Sequence, residues 1–194
     1  MSIPKILVFA GSIRTGSHNA RLAALATKLL TLADADVTHI SLQDFPMPLY
    51  DGDVEGKSGP PAHAVKLKRM MMLHAGVFIA SSEYNASITP LLKNTIDWVS
   101  RVRDGTELPL TVFKNRVFAL GAASPGTLGG YRSLMAVRQV LELGCGATVL
   151  PEQVAVRDAA HAFDEHDNLR DPRTADAFQT LVSRLVDATR SLVR

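Results

Sequence analysis

Three short apolar runs constrain this chain most: Ile6 to Ala10, Gly76 to Ser81 and Arg116 to Ala122. They are continuous, without the apolar–polar alternation of a strand that shows one face to water. Such runs belong to strands of a parallel sheet covered on both faces. Between them the hydrophobic period changes to that of helices. Ala20 to Leu32 reads as a helix with Leu22, Leu25, Leu29 and Leu32 on one stripe. Ala62 to His74, Pro90 to Val102, Tyr131 to Leu143 and Asp171 to Val193 read as four more. Thr89 is placed to cap the third of these five, with Pro90 as its first residue. Phe178, Leu181, Leu185 and Leu192 fall on the inner side of the last. Val37 to Leu42 and Ala147 to Leu150 supply a second and a fifth strand. Asp44 to Pro61, rich in Pro, Gly and Asp, reads as loop. So does Arg157 to Pro172, as an exposed mobile segment whose two histidines do not have the spacing of a tetrahedral metal set.

Five strands alternating with five helices predict an α/β three-layer sandwich around a five-stranded parallel sheet. The 194 residues suffice for one domain with a sizeable core, and no internal repeat divides residues 1–194. A net charge of +2 without a basic run argues against nucleic acid as the partner. No apolar stretch approaches the roughly 20 residues that cross a bilayer, so no membrane partner is expected. The single Cys145 cannot form an internal disulfide, which fits a cytoplasmic protein.

In a parallel sheet, ligands bind beyond the carboxyl ends of the strands, near the reversal of strand order. Three loops lie there. Gly11-Ser12-Ile13-Arg14-Thr15-Gly16-Ser17-His18-Asn19 precedes a helix and contains no acid. A helix start presents unpaired N–H groups and partial positive charge. Ser12, Ser17 and Asn19 add side-chain donors, and Arg14 adds charge-assisted bonds. The plain alternative is that Ser17 or Asn19 merely caps the helix. The stretch has neither a G-x-G-x-x-G nor a GK[ST] ending, which disfavours a dinucleotide or ATP and points to a compact monophosphate. In the second loop, Tyr84 offers an aromatic face, Asn85 a donor and an acceptor, and Ser87 and Thr89 further hydroxyls. In the third, Ser124-Pro125-Gly126-Thr127-Leu128-Gly129-Gly130, glycines allow backbone to approach a ligand. Trp98 reads as core or subunit interface, and Met70 to Met72 as helix packing.

Together, GSIRTGSHN at 11–19, EYNASITPLLKNTIDWVS at 83–100 and SPGTLGGYR at 124–132 resemble the NADPH-dependent FMN reductase family. FPMPLYD at 45–51 resembles its proline-bearing loop after the second strand. Family members often have proline where this chain has Ser82. The resemblance implies a flavodoxin-like fold and an NAD(P)H-dependent oxidoreductase with FMN as cofactor. It implies that Ser12, Arg14, Ser17 and Asn19 surround the FMN phosphate. Glu83, Tyr84, Asn85 and Ser87 would lie along the ribityl chain and ring, and Ser124, Gly126 and Gly129 would border the ring. Chemistry would be carried by N5 of the flavin with no catalytic side chain, so His18 and His74 need no catalytic role. The acceptor would be a small molecule such as a quinone, azo dye, metal oxyanion or free flavin. A homodimer or homotetramer is implied, with flavin near a subunit interface. An electron-carrier flavodoxin, normally strongly acidic, and a non-enzymatic phosphate-ligand module are the rivals. A serine hydrolase ranks last, since no G-x-S-x-G elbow is present.

Overall fold

The apolar runs form the middle of a single parallel sheet in the computed structural model, which describes residues 3–192. β1 (Lys5–Ala10), β3 (Gly76–Ala80) and β6 (Val117–Ala123) are central. β2 (Asp36–Ile40) and β7 (Thr148–Val156) are the edges, in the order β2-β1-β3-β6-β7 with every pairing parallel. Every residue of β3 and β6 is buried, as continuous apolar strands require. Side chains alternate across β1. Ile6 and Val8 join Leu22, Phe78, Phe178 and Leu185 on one face, under α1 (His18–Leu32) and α6 (Pro172–Leu192). Leu7 and Phe9 join Leu67, Leu92, Phe118 and Leu134 on the other, under α3, α4 and α5 (Ala62–Met72, Pro90–Arg101, Tyr131–Gln139). From β1 the chain goes outward to β2 and then back to β3 on the other side, so order reverses between β1 and β3. This reversal is the expected ligand position in the α/β layout.

Several details depart from the sequence pattern. The expected loop at 44–61 contains a short helix, α2 (Gly52–Ser58), capped by Asp51, whose carboxylate accepts from Asp53 N at 2.8 Å. Helix α2 buries no residue, so no apolar stripe marks it in the sequence. Its Glu55 anchors it, accepting from Tyr50 Oη at 2.8 Å and Arg101 Nε at 2.9 Å. β7 runs on through Pro151 to Val156, well beyond Leu150. An edge strand tolerates proline, and the pairing with β6 shifts register close by, between Phe118 and Leu120. The buried stripe of α1 is Leu22, Leu25, Ala26 and Leu30, and Leu32 is exposed. Leu192 on α6 is likewise half exposed, and Val193 lies outside the described residues. α5 ends in a π-helical turn, Val140–Gly144.

The segment between β7 and α6 is ordered by its own contacts instead of being a loose loop. The Asp164 carboxylate accepts from His166 N at 2.9 Å and Asn168 N at 2.8 Å, and Phe163 bridges to Leu169. Arg21 of α1 lies 4.6 Å over the Phe163 ring and donates to Asp167 at 2.8 Å. Trp98 is core: it is fully buried and its Nε1 donates to Pro48 O at 2.7 Å.

Candidate functional site

The loop after β1 is pinned on both sides. Gly11 N donates to Ala80 O at 2.8 Å, and Thr89 Oγ1 donates to Gly11 O at 2.7 Å. The same Thr89 hydroxyl accepts from Leu92 N at 3.1 Å and so caps α4, as the sequence suggests. A Cβ at Gly11 would stand 3.1 Å from Leu92 Cδ2, which is why α4 can pack this close to the loop. Beyond this anchor Ser12 Oγ accepts from Arg14 N at 3.3 Å. The exposed Arg14 guanidinium curls back, donating to Thr15 O at 3.1 Å and Gly16 O at 3.2 Å. Ser17 caps α1, its Oγ accepting from Ala20 N at 3.4 Å. The first-turn N–H groups of His18 and Asn19 have no acceptor within the helix and face outward from its start.

The loop after β3 is a tight hairpin, β4 (Glu83–Tyr84) with β5 (Ser87–Ile88). Its turn residues, Asn85 at φ 49° and Ala86 at φ 65°, are both left-handed, the geometry that joins two twisted strands in two residues. Alanine in that region costs about 1–2 kcal/mol. Glu83 reaches across to α5. Its carboxylate accepts from the backbone N of Arg132 at 3.1 Å and of Ser133 at 3.3 Å, and from Arg132 Nε at 2.8 Å. It therefore caps a helix whose N-cap residue, Gly130, has no side chain to do so. The same residue lines the cavity between the three loops.

At the end of β6, Asn19 uses both ends of its amide on one residue. Nδ2 donates to Ala123 O at 2.8 Å, and Oδ1 accepts from Ala123 N at 2.9 Å. Asn19 is thus a strut between the first and third loops, with its amide oxygen and one N–H committed. Gly129 also has a role other than the one its residue type suggests. Its φ is +60°, and a Cβ there would stand 2.9 Å from the backbone of Ala155 and Val156, so β7, not a ligand, demands glycine. Its N–H donates to Gly126 O at 3.0 Å and is not available to a ring edge.

Between the three loops lies an open cavity of about 130 Å³. Ser12, Arg14, Ser17, Asn19, Glu83, Tyr84 and Ser124 line it, so seven of the residues singled out in the sequence come together. Asn85, Ser87, Gly126 and Gly129 do not line it. His18, Ser82 and Pro125 do, and residue type alone did not single them out for binding. Two buried polar atoms on this lining, His18 Nδ1 and Ser82 Oγ, have no hydrogen-bond partner among the described residues. Burial, reinforced by the charges of Arg14 and Arg21, holds the His18 imidazole below its ordinary pKa. Among the described residues no cluster of His, Cys, Asp and Glu could hold a metal. A larger hollow of about 430 Å³ lies between Arg157, Leu169 and Arg173, and none of the three loops reaches it.

The cavity suits a polar, anionic ligand: hydroxyls and a guanidinium at a helix start, with its one carboxylate already paired to Arg132. Comparison with known proteins shows the family. Residues 4–161 match the family model described as NADPH-dependent FMN reductase. A quinone reductase of Escherichia coli is 35% identical over 138 residues, covering 71% of this chain and 69% of that protein. An NAD(P)H-dependent FMN reductase of Pseudomonas aeruginosa is 29% identical over 185 residues, 93% of this chain and 92% of the relative. The flavoenzyme NAD(P)H:(acceptor) oxidoreductase FerB of Paracoccus denitrificans superposes with a TM-score of 0.78 at 25% identity, over 97% of this chain and 98% of its own. The chain thus belongs to the NADPH-dependent FMN reductase family, flavodoxin-like oxidoreductases that work with NAD(P)H and FMN.

Proposed function

We propose that this protein carries electrons from NAD(P)H through FMN to a quinone-type small acceptor, with the FMN phosphate held by the loop after β1. The observation that carries the reading is the cavity itself. It sits at the reversal of strand order, with Ser12, Arg14, Ser17 and the start of α1 on one side and Ser82, Tyr84 and Ser124 on the other. The unpartnered Ser82 hydroxyl on the lining supports a hydrogen-bonding ligand. The quinone preference rests on the quinone reductases among the relatives.

When bound, FMN supplies a ring that accepts a hydride from the nicotinamide and returns electrons to an acceptor. The chain's own residues bind and orient. Arg14, now bonded to the carbonyls of Thr15 and Gly16, would turn to the phosphate, exchanging neutral acceptors for an ionised one. Ser12 and Ser17 would donate their hydroxyl protons to it, and the first-turn amides of α1 would add theirs. Asn19 fixes the distance between the first and third loops, which would hold the two ends of the cofactor. Tyr84, half exposed on the hairpin, offers an aromatic surface beside the ring. No side chain need act as acid or base.

The whole chain is read as one FMN-binding domain. Exposed Leu128, Tyr131 and Met135, near the Glu83–Tyr84 hairpin, support a homodimer or homotetramer with the flavin near a subunit boundary. The buried, unpaired Cys145 supports a cytoplasmic setting. No helix among the described residues is long and apolar enough to cross a membrane.

The test is spectroscopic. The FMN-loaded protein, mixed anaerobically with NADPH and separately with NADH, should lose its flavin absorbance and regain it on adding benzoquinone. A flavin that stays oxidised would leave a carrier; no flavin uptake at all would leave a phosphate-ligand module.

A further inference from the structure

His18 has no role in the binding scheme above. It is the first residue of α1, and it lines the cavity with Ser12, Arg14 and Ser17. Its Nδ1 is buried there with no partner among the described residues. Leaving a buried polar atom unpaired costs about 1–3 kcal/mol, so such an atom at a ligand cavity points to a bond completed by the ligand. Ser82, only 6% exposed, lines the same cavity with its own hydroxyl unpaired, a second and independent sign of a polar occupant.

The charges around His18 give that bond a direction. Arg14 from the loop and Arg21 from α1 disfavour a further cation, and desolvation acts the same way, more strongly. Arg21 is itself turned toward Asp167. From the opposite side of the cavity the charged or titratable groups are Glu83, engaged with Arg132, and Tyr84. No free carboxylate on this lining favours imidazolium. A phosphate placed among Ser12, Arg14 and Ser17 reverses the balance, because it brings negative charge and an acceptor for Nδ1.

We propose that His18 is a proton-linked ligand of the FMN phosphate, taking up one proton from solvent as the phosphate enters and donating from Nδ1 to a phosphate oxygen. This inference rests on the placement of FMN argued above. FMN affinity should then fall as pH rises through neutrality, and the protein should prefer FMN to riboflavin by more than Arg14 and the hydroxyls alone provide. Within the loop this ties cofactor loading to pH.

The test is calorimetric titration of flavin-free protein with FMN and with riboflavin, in buffers of differing ionisation enthalpy, between about pH 6 and 8. Free FMN has its own phosphate ionisation near pH 6, so the diagnostic quantity is the difference between wild type and variant. His18→Asn should lose the extra proton uptake, bind FMN about tenfold more weakly at the acid end, and bind riboflavin unchanged. His18→Gln is the second variant if the first fails to fold. Equal proton uptake in wild type and variant, or equal weakening of FMN and riboflavin, overturns the proposal while leaving the FMN site standing. No FMN binding by the wild type overturns both.

Discussion

Asn19 and Ala123, 104 residues apart, exchange two hydrogen bonds, one in each direction, at 2.8 and 2.9 Å. The pairing mimics one rung of a sheet and holds the start of α1 against the end of β6. Asn19→Ala leaves a buried backbone donor and acceptor unpaired. It should cost about 2 kcal/mol or more in denaturant titration. Asn19→Asp should not rescue, because an oxygen would replace the amide nitrogen that faces Ala123 O. Equal stability of wild type and Asn19→Ala would show that solvent satisfies the pair.

Glu83 separates a helix cap from an ion pair. Its carboxylate serves the α5 backbone at Arg132 and Ser133 and also the Arg132 guanidinium. That guanidinium side chain is more than half exposed, so the ion pair itself adds little. Glu83→Gln keeps an acceptor for the backbone and should stay near wild type. Glu83→Ala removes the cap and should lose about 1 kcal/mol. Thermal melts of the two variants side by side measure the difference.

The sheet and the three loops at its carboxyl edge were legible because buried parallel strands are continuous apolar runs, and each ends where glycine and hydroxyl residues begin. What stayed hidden has a common physical origin: contacts between residues far apart in the chain. Nothing local to Asn19 says that its amide closes on Ala123, or to Glu83 that its carboxylate caps α5. Gly129 looks like a glycine kept for ligand approach, yet its missing side chain is required by Ala155 and Val156. Helix α2 was invisible because it buries nothing, and the segment between β7 and α6 because polar side chains, not an apolar stripe, order it. His18 gave no sign in the sequence either, since only the fold shows its Nδ1 dry and unpaired.

Lys68 should govern part of the acid stability. Its side chain is almost wholly buried, and Nζ donates to Asp104 at 2.8 Å and to Glu107. Hydrogen bonds from Lys68 hold both carboxyls below their ordinary values. A depressed carboxyl contributes stability above its unfolded-state pKa and loses it as pH falls through the folded value. Melting temperature should therefore drop on acidification, and Asp104→Asn/Glu107→Gln should flatten that drop. At neutral pH this double variant should be clearly less stable than wild type, since it strands a buried ammonium. An unchanged acid profile would exclude the cluster as a contributor.

Cys145 should be chemically silent in the native protein. Burial, helped by the charge of Asp97, pushes its thiol up to about 11. Thiolate is the reactive form, so iodoacetamide at mildly alkaline pH should label it slowly in the fold and rapidly in denaturant. Fast native labelling would mean that the end of α5 opens readily.

Arg14 tests the phosphate assignment most directly. The guanidinium is exposed and bonded only to carbonyls of its own loop, so its removal should leave the melting temperature near wild type. A charge-assisted bond to phosphate contributes about 1.5–3 kcal/mol, and Arg14→Ala should weaken FMN binding by about tenfold to a hundredfold. Riboflavin, which has no phosphate, should bind wild type and variant alike. Arg14→Lys should recover part of the FMN affinity, since it restores the charge without the planar fork. Quenching of flavin fluorescence by the titrated protein, with FMN and with riboflavin, measures all five values. Unchanged FMN affinity in Arg14→Ala would return Arg14 to the surface and move the phosphate away from the loop after β1.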